Sequence, residues 1–119
     1  MKRKIKFRGK DFLGRWHYGY LHLATGSDSL MIQVDSFESF GVIPETVGQF
    51  TGLLDKNGKE IYAGDILQEI GSGKTVLVVY EAPQFCCADN SFGYKFLNLP
   101  ENYTVIGNIH DNPELLKGE

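Results

Sequence analysis

Polar and apolar residues alternate with a period of two along much of this chain, and glycine, asparagine, aspartate or proline interrupts the alternation every few residues. That pattern predicts short strands joined by tight turns. It is densest in VGQFTGLLDKNGKEIYAGDIL, residues 47–67, where apolar runs flank turns at Asp55-Lys56-Asn57-Gly58 and Ala63-Gly64-Asp65. Asn57-Gly58 predicts a type I′ hairpin, with positive φ at both central positions, about which residues 49–54 and 60–63 run antiparallel.

The same reading extends in both directions. Residues 4–8 place Ile5 and Phe7 on one side and Lys4, Lys6 and Arg8 on the other, a half-buried strand with a basic outer face. Residues 9–14 read as a loop. Residues 15–23 follow as a second strand with Trp16, Tyr18 and Tyr20 on one face, so that the two strands form a hairpin. Residues 30–34 are a third strand, residues 35–40 show no clear period, and residues 41–45 bridge into the central hairpin. Beyond it, residues 66–70 and 75–80 pair around Gly71-Ser72-Gly73-Lys74. Val76-Leu77-Val78-Val79, apolar on both faces, is the expected core. Residues 81–91 read as the longest loop. Phe92, Tyr94 and Phe96 alternate, residues 103–109 are the last strand, and Asn112-Pro113-Glu114 supplies a cap, a first-turn proline and an acid for a short terminal helical turn.

Composition supports this picture. The 119 residues are one domain by length and can bury roughly two thirds of their unfolded surface. Fourteen glycines, together with eight Phe and six Tyr, favour strands and turns over helices. The net charge of −3 conceals an asymmetry, because six of the twelve basic residues fall within the first ten positions, leaving six basic against fifteen acidic groups after them. An acidic body excludes binding of nucleic acid through the whole surface and confines it to the N-terminal strand. The adjacent Cys86 and Cys87 suit free thiols in a reducing compartment, since a bridge between neighbours is strained. With no signal-peptide core and no run near the roughly twenty apolar residues of a span, the expectation is a cytoplasmic protein with no membrane partner.

Each candidate for chemistry has a structural explanation beside it. Gly71-Ser72-Gly73-Lys74-Thr75 resembles the end of a phosphate-binding P-loop, but Gln68 stands where the first glycine belongs and a strand, not a helix, is expected to follow. A hairpin turn explains it better. Cys86-Cys87 with His17, His22 or His110 lacks the spacing of a zinc site, so no metal and no cofactor are expected. Asp55 and Asp65 are accounted for as turn caps. Lys4, Lys6 and Arg8 beside Trp16, Tyr18 and Tyr20 are the one constellation that fits a nucleic-acid or other partner surface of cations interleaved with rings. Edge-strand lysines that guard against aggregation, over core aromatics, explain the same residues structurally.

Several segments together resemble the YopX-like proteins of phages and prophages: Lys4-Ile5-Lys6-Phe7-Arg8-Gly9, Trp16-His17-Tyr18-Gly19-Tyr20-Leu21, the block from Ile43-Pro44-Glu45 through Gly52-Leu53 into Asp55-Lys56-Asn57-Gly58-Lys59-Glu60-Ile61-Tyr62 and Gly64-Asp65-Ile66, and Val105-Ile106-Gly107-Asn108-Ile109 with Asn112-Pro113-Glu114-Leu115-Leu116. The resemblance implies a small, mostly β protein with an SH3-like β-barrel element, encoded by a phage or prophage. It carries over no catalytic residue.

The sequence therefore predicts a mostly β chain: one domain over residues 1–119, with an N-terminal antiparallel β-hairpin region at 1–45, an SH3-like barrel at 46–112 filled by Ile61, Ile66, Val105 and Ile109, and a short C-terminal helical turn. The expected function is that of a phage or prophage non-catalytic binding or accessory protein in the host cytoplasm. It would act on a protein or nucleic-acid partner, with homo-oligomerisation through strand edges open. The alternative is a small enzyme or nucleotide-binding protein using the Gly71–Thr75 loop or Asp55 and Asp65.

Overall fold

The computed structural model describes residues 5–81, 84–88, 94–96 and 100–116. The chain forms two compact units, Met1–Phe50 and Thr51–Glu119.

In the first unit, β1 (Phe7–Lys10), β2 (Trp16–Leu23), β3 (Leu30–Gln33) and β4 (Ser39–Gly41) form an antiparallel meander. The start of β5 (Gly48–Leu54) lies on the other edge of β1, with Arg8 opposite Gly48 and Phe7 opposite Gln49. The first strand begins later than its alternation suggested, because its ladder is set by this partner. Strand β4 was invisible in the sequence, since three residues are too few to display a period. A 3₁₀ turn at Pro44–Thr46 bridges to β5. The hydroxyl of buried Thr46 donates to the Ile43 carbonyl and accepts the Lys10 amide at 2.8 Å, tying that turn to the end of β1.

In the second unit the rest of β5 leads into β6 (Glu60–Tyr62). Strands β7 (Asp65–Glu69), β8 (Thr75–Glu81), β9 (Gln84–Ala88), β10 (Tyr94–Phe96) and β11 (Tyr103–Asn108) form an antiparallel sheet in the order β10-β9-β8-β7-β11. A 3₁₀ turn at Pro100–Asn102 precedes β11 and another follows at Pro113–Leu116. The core is Ile61, Leu67, Val76 and Val78, packed against Leu53, Tyr103 and Val105. Each such aliphatic side chain contributes about 1.5–3 kcal/mol by leaving water.

Four expectations need correction. The sheet order is open among the described residues, so the expected barrel is not closed: β10 is only three residues long and ladders with β9 alone, whereas closure requires strands long enough to coil and stagger. Residues 81–91 are not one loop, because 84–88 pair with β8, placing the backbone of Cys86 opposite Val79 and Cys87 opposite Val78. QFCCA carries no alternation that would reveal a strand. The stretch Val76-Leu77-Val78-Val79 is buried at Val76 and Val78 but only half-buried at Leu77 and Val79. Phe92 of the alternating triplet lies outside the described residues.

The fourth correction is the hairpin turn. Among the described residues no side-chain-bearing residue has positive φ, so Asn57 is not in a type I′ geometry. Gly58 alone is left-handed, at φ 83°, and the turn is a five-residue Asp-x-x-Gly-Lys loop closed by Asp55 N–H donating to the Lys59 carbonyl (2.8 Å) and Gly58 N–H to the Asp55 carbonyl (3.0 Å). The Asp55 carboxylate completes it. Oδ1 accepts the amides of Asn57 (2.8 Å) and Lys59 (2.9 Å), while Oδ2 accepts the amide of Val105, fifty residues away, at 2.9 Å. Burial pushes this carboxyl up, but the amides of Val105, Lys59 and Asn57 and the charge of Lys59 outweigh it and hold the group below its ordinary value.

Removing an acceptor that serves three buried or part-buried amides strands those donors. Asp55→Ala is expected to destabilise the second unit by roughly 2–4 kcal/mol in denaturant titration and to speed amide exchange at Val105. Unchanged exchange at Val105 would show that this carboxylate does not hold β11.

Candidate binding surface

The N-terminal hairpin is closed by the same device. Asp11-Phe12-Leu13-Gly14-Arg15 repeats the Asp-x-x-Gly-basic pattern: Asp11 N–H donates to the Arg15 carbonyl (2.9 Å), Gly14 N–H to the Asp11 carbonyl (3.1 Å), and Gly14 has φ 87°. Oδ1 of Asp11 accepts the amides of Leu13 and Arg15, both at 2.9 Å. Its Oδ2 accepts Arg15 Nε at 3.0 Å and lies 2.8 Å from His17 Nε2. His17 in turn stacks on Phe40 of β4, with centroids 3.8 Å apart and planes 12° from parallel. The hydrogen bond from His17, followed by the Arg15 amide, holds the Asp11 carboxyl well below the usual carboxylate range although burial opposes it. This braced corner fixes the register of β1 on β2.

That register produces a ladder of cation and ring. Lys10 lies opposite Trp16 and Arg8 opposite Tyr18, and Lys6, two residues before Arg8, falls on the same side by alternation. All six side chains fall on one face of the pair. The guanidinium of Arg8 sits 4.8 Å from the Trp16 ring centroid, Lys10 Nζ lies 5.8 Å from the same ring, and Lys6 Nζ lies 5.5 Å from Phe50. Glycine is required between the two tyrosines: a Cβ on Gly19 would come within 2.0 Å of the Gln33 carbonyl oxygen. The backbone of β2 is therefore pressed against the end of β3, and Tyr18 and Tyr20 project from a supported strand.

The predicted site residues are thus partly assembled. Lys6, Arg8, Trp16, Tyr18 and Tyr20 share the face, while Lys4 lies outside the described residues. Arg8 departs from expectation: at 6% exposure it is not on a basic outer face but is buried against Trp16. Tyr18 and Tyr20 are not core, at 46% and 69% exposed. Trp16 and Lys6 are half-buried. Sequence reasoning missed Lys10, which continues the Lys6-Arg8 alternation by one step, and Phe50, whose place under Lys6 depends on β5 pairing with β1. It also missed the Asp11-His17-Phe40 brace, although the Asp-x-x-Gly-basic pattern stands twice in the chain.

The other candidates resolve into turns. Gly73 N–H donates to the Glu69 carbonyl (2.9 Å), Lys74 N–H to Ser72 Oγ (3.2 Å) and Ser72 Oγ to Glu69 Oε1 (2.8 Å), after which Thr75 opens β8. The amides of Gly73 and Lys74 donate within the loop. Asp65 accepts the Tyr62 amide at 2.7 Å and is 1% exposed. Among the described residues no three His, Cys, Asp or Glu side chains are placed to share a metal ion, and no helix is long and apolar enough to cross a membrane.

Fold and site together define a mostly β protein of antiparallel sheets that presents a cation-and-ring strand pair. The chain belongs to the YopX protein family, which it matches over residues 7–117. It is similar in structure to protein EF1440 from Enterococcus faecalis, with a TM-score of 0.64 and 26% identity over 98% of this chain and 100% of that one. No curated protein matches it.

The depressed Asp11 carboxyl makes a pH prediction. Between its folded value and the ordinary 3.8 the unfolded chain binds the proton and the folded chain does not, so the brace stabilises fully above that ordinary value and is lost as pH falls below it. In urea melts the stability gap between wild type and Asp11→Asn should be fully present at pH 5 and should shrink as the pH is lowered below 3.8. A gap that stays constant or grows as the pH falls from 3.8 would refute the brace.

Proposed function

We propose that this chain is a non-catalytic binding protein of a phage or integrated prophage, working in the cytoplasm of a bacterial host, with the outer face of β1 and β2 as its contact surface. The observation that carries this reading is the pair of exposed tyrosines, 46% and 69% exposed, on the same face of the strand pair as Lys6 and Lys10. Large rings on a rigid strand lose little freedom when a partner covers them, which makes them effective contact groups. Similarity to a protein of Enterococcus faecalis supports the bacterial setting.

The second unit carries the five-stranded sheet. Its order β11-β7-β8-β9-β10, with a 3₁₀ turn leading into the last strand, supports reading it as an open SH3-like element. Catalysis or nucleotide binding at residues 71–75, Asp55 or Asp65 is less well supported, because those groups already hold turns.

Site-specific photocrosslinking tests the assignment. With Tyr20→p-benzoylphenylalanine expressed in a bacterial host, irradiation is expected to yield discrete adducts, whereas the same group at exposed Gln68, beside the residue 71–75 loop, is expected to yield none. Adducts at Gln68 alone, or at neither position, would overturn the assignment of the surface.

A further inference from the structure

We infer that the β1–β2 face takes single-stranded nucleic acid, with Tyr18 and Tyr20 each stacking one unpaired base and Lys6 and Lys10 meeting the phosphates. The inference rests on the assignment of this face as the contact surface and narrows it to one class of partner.

Spacing and chemistry carry it. Tyr18 and Tyr20 are two residues apart on one face, roughly 6.5 Å along the strand. Stacked bases rise only about 3.4 Å, so neighbouring bases can occupy both rings only after being drawn off one another, each onto its own tyrosine. Paired bases in a duplex present edges rather than faces and would gain little from these rings. A flexible single strand meets the spacing without breaking pairs.

The cations fit the same ligand. Lys10 is paired with Trp16 and Arg8 with Tyr18, and Lys6 falls on the same face by alternation, so positive charge runs along the strand beside the rings. Arg8 is buried against Trp16 and stiffens that ring, whereas Lys6 and Lys10 are half-buried, with Nζ over Phe50 and Trp16, and a phosphate on this face is met by turning their flexible four-carbon stems. The rest of the chain is acidic, since residues after the tenth carry six basic and fifteen acidic groups. A polyanion is therefore attracted to the N-terminal strand pair and repelled elsewhere. A ring-seeking protein partner would need no such charge, and an acidic one would need no base-like spacing. Specificity for sequence is not expected, because the face offers stacking planes and charges rather than a set of donors matched to base edges.

Fluorescence anisotropy with labelled oligo-dT, oligo-rU and a duplex of equal length, about a dozen nucleotides, tests this at low salt. Both single strands are expected to bind, with the duplex at least about ten-fold weaker, and the tighter of the two identifies DNA or RNA as the source. Tyr18→Leu and Tyr20→Leu should each weaken binding about five-fold or more, while Tyr20→Phe, which keeps the ring, should match wild type. The salt slope for two phosphate contacts should be about −1.4 and should flatten toward zero in Lys6→Gln with Lys10→Gln. Because Tyr20 is largely exposed, its variants retain the fold, and circular dichroism verifies this. Equal affinity for duplex and single strand, ring variants that bind as wild type, or no binding by wild type would each overturn the inference. Nuclease treatment separates the two levels of failure. A Tyr20 adduct that survives nuclease and contains a second polypeptide refutes single-strand binding but preserves the contact surface, whereas no adduct refutes both.

Discussion

The constraint on which this structure depends is the need of a buried aspartate to satisfy both of its oxygens. In Asp11-Phe12-Leu13-Gly14-Arg15 and Asp55-Lys56-Asn57-Gly58-Lys59 the first oxygen accepts the amides two and four residues ahead, and the glycine takes the left-handed φ that closes the loop. The second oxygen then points away from the turn and must find another donor. In one unit that donor is the amide of Val105; in the other it is the pair of Arg15 and His17. At Asp55 the local turn thereby becomes a long-range tie, and at Asp11 it braces its own hairpin. In the second unit this ties the Asp55 turn to β11, beside the cluster of Ile61, Leu67, Val76 and Val78.

The two ties differ in chemistry, and the difference bears on function. The Val105 amide cannot titrate, so the tie of the second unit changes only with the protonation of Asp55. In the first unit the donors are side chains, and His17 carries the tie onward by stacking on Phe40. The Asp11 turn and β4 are thus tied through His17 to β2, the strand that carries Trp16, Tyr18 and Tyr20. The exposed rings are held by the strand under them rather than by burial of their own surface, which is the condition a preorganised contact surface has to meet.

Much of this was legible in the residues. Alternation in Trp16, Tyr18 and Tyr20 gave a strand and its face, and apolar alternation from Ile61 to Val78 gave the strands around the second core. The turn at Asn57-Gly58 was placed correctly, but its type was not: the dipeptide tolerates two positive φ values, yet Asp55 stabilises a geometry that uses only one. Strands β4 and β9 were missed for opposite reasons, the first too short to show a period and the second held by backbone ladder to β8 without apolar patterning. Burial of Arg8 was not legible either, since period-two alternation assigns a face but not what covers it. Phe50 joined the site only through the pairing of β5 with β1, a contact across some forty residues of sequence.

The central claim is that the braced rings and lysines of β1 and β2, and not the glycine-rich loop at residues 71–75, are where this protein meets its partner. The most direct measurement is an amide chemical-shift map of the full-length protein titrated with oligo-dT. The account predicts progressive shifts confined to Lys6, Lys10, Trp16, Tyr18, Tyr20 and their strand neighbours; shifts centred on Gly71 to Thr75, with β1 and β2 unmoved, would contradict it.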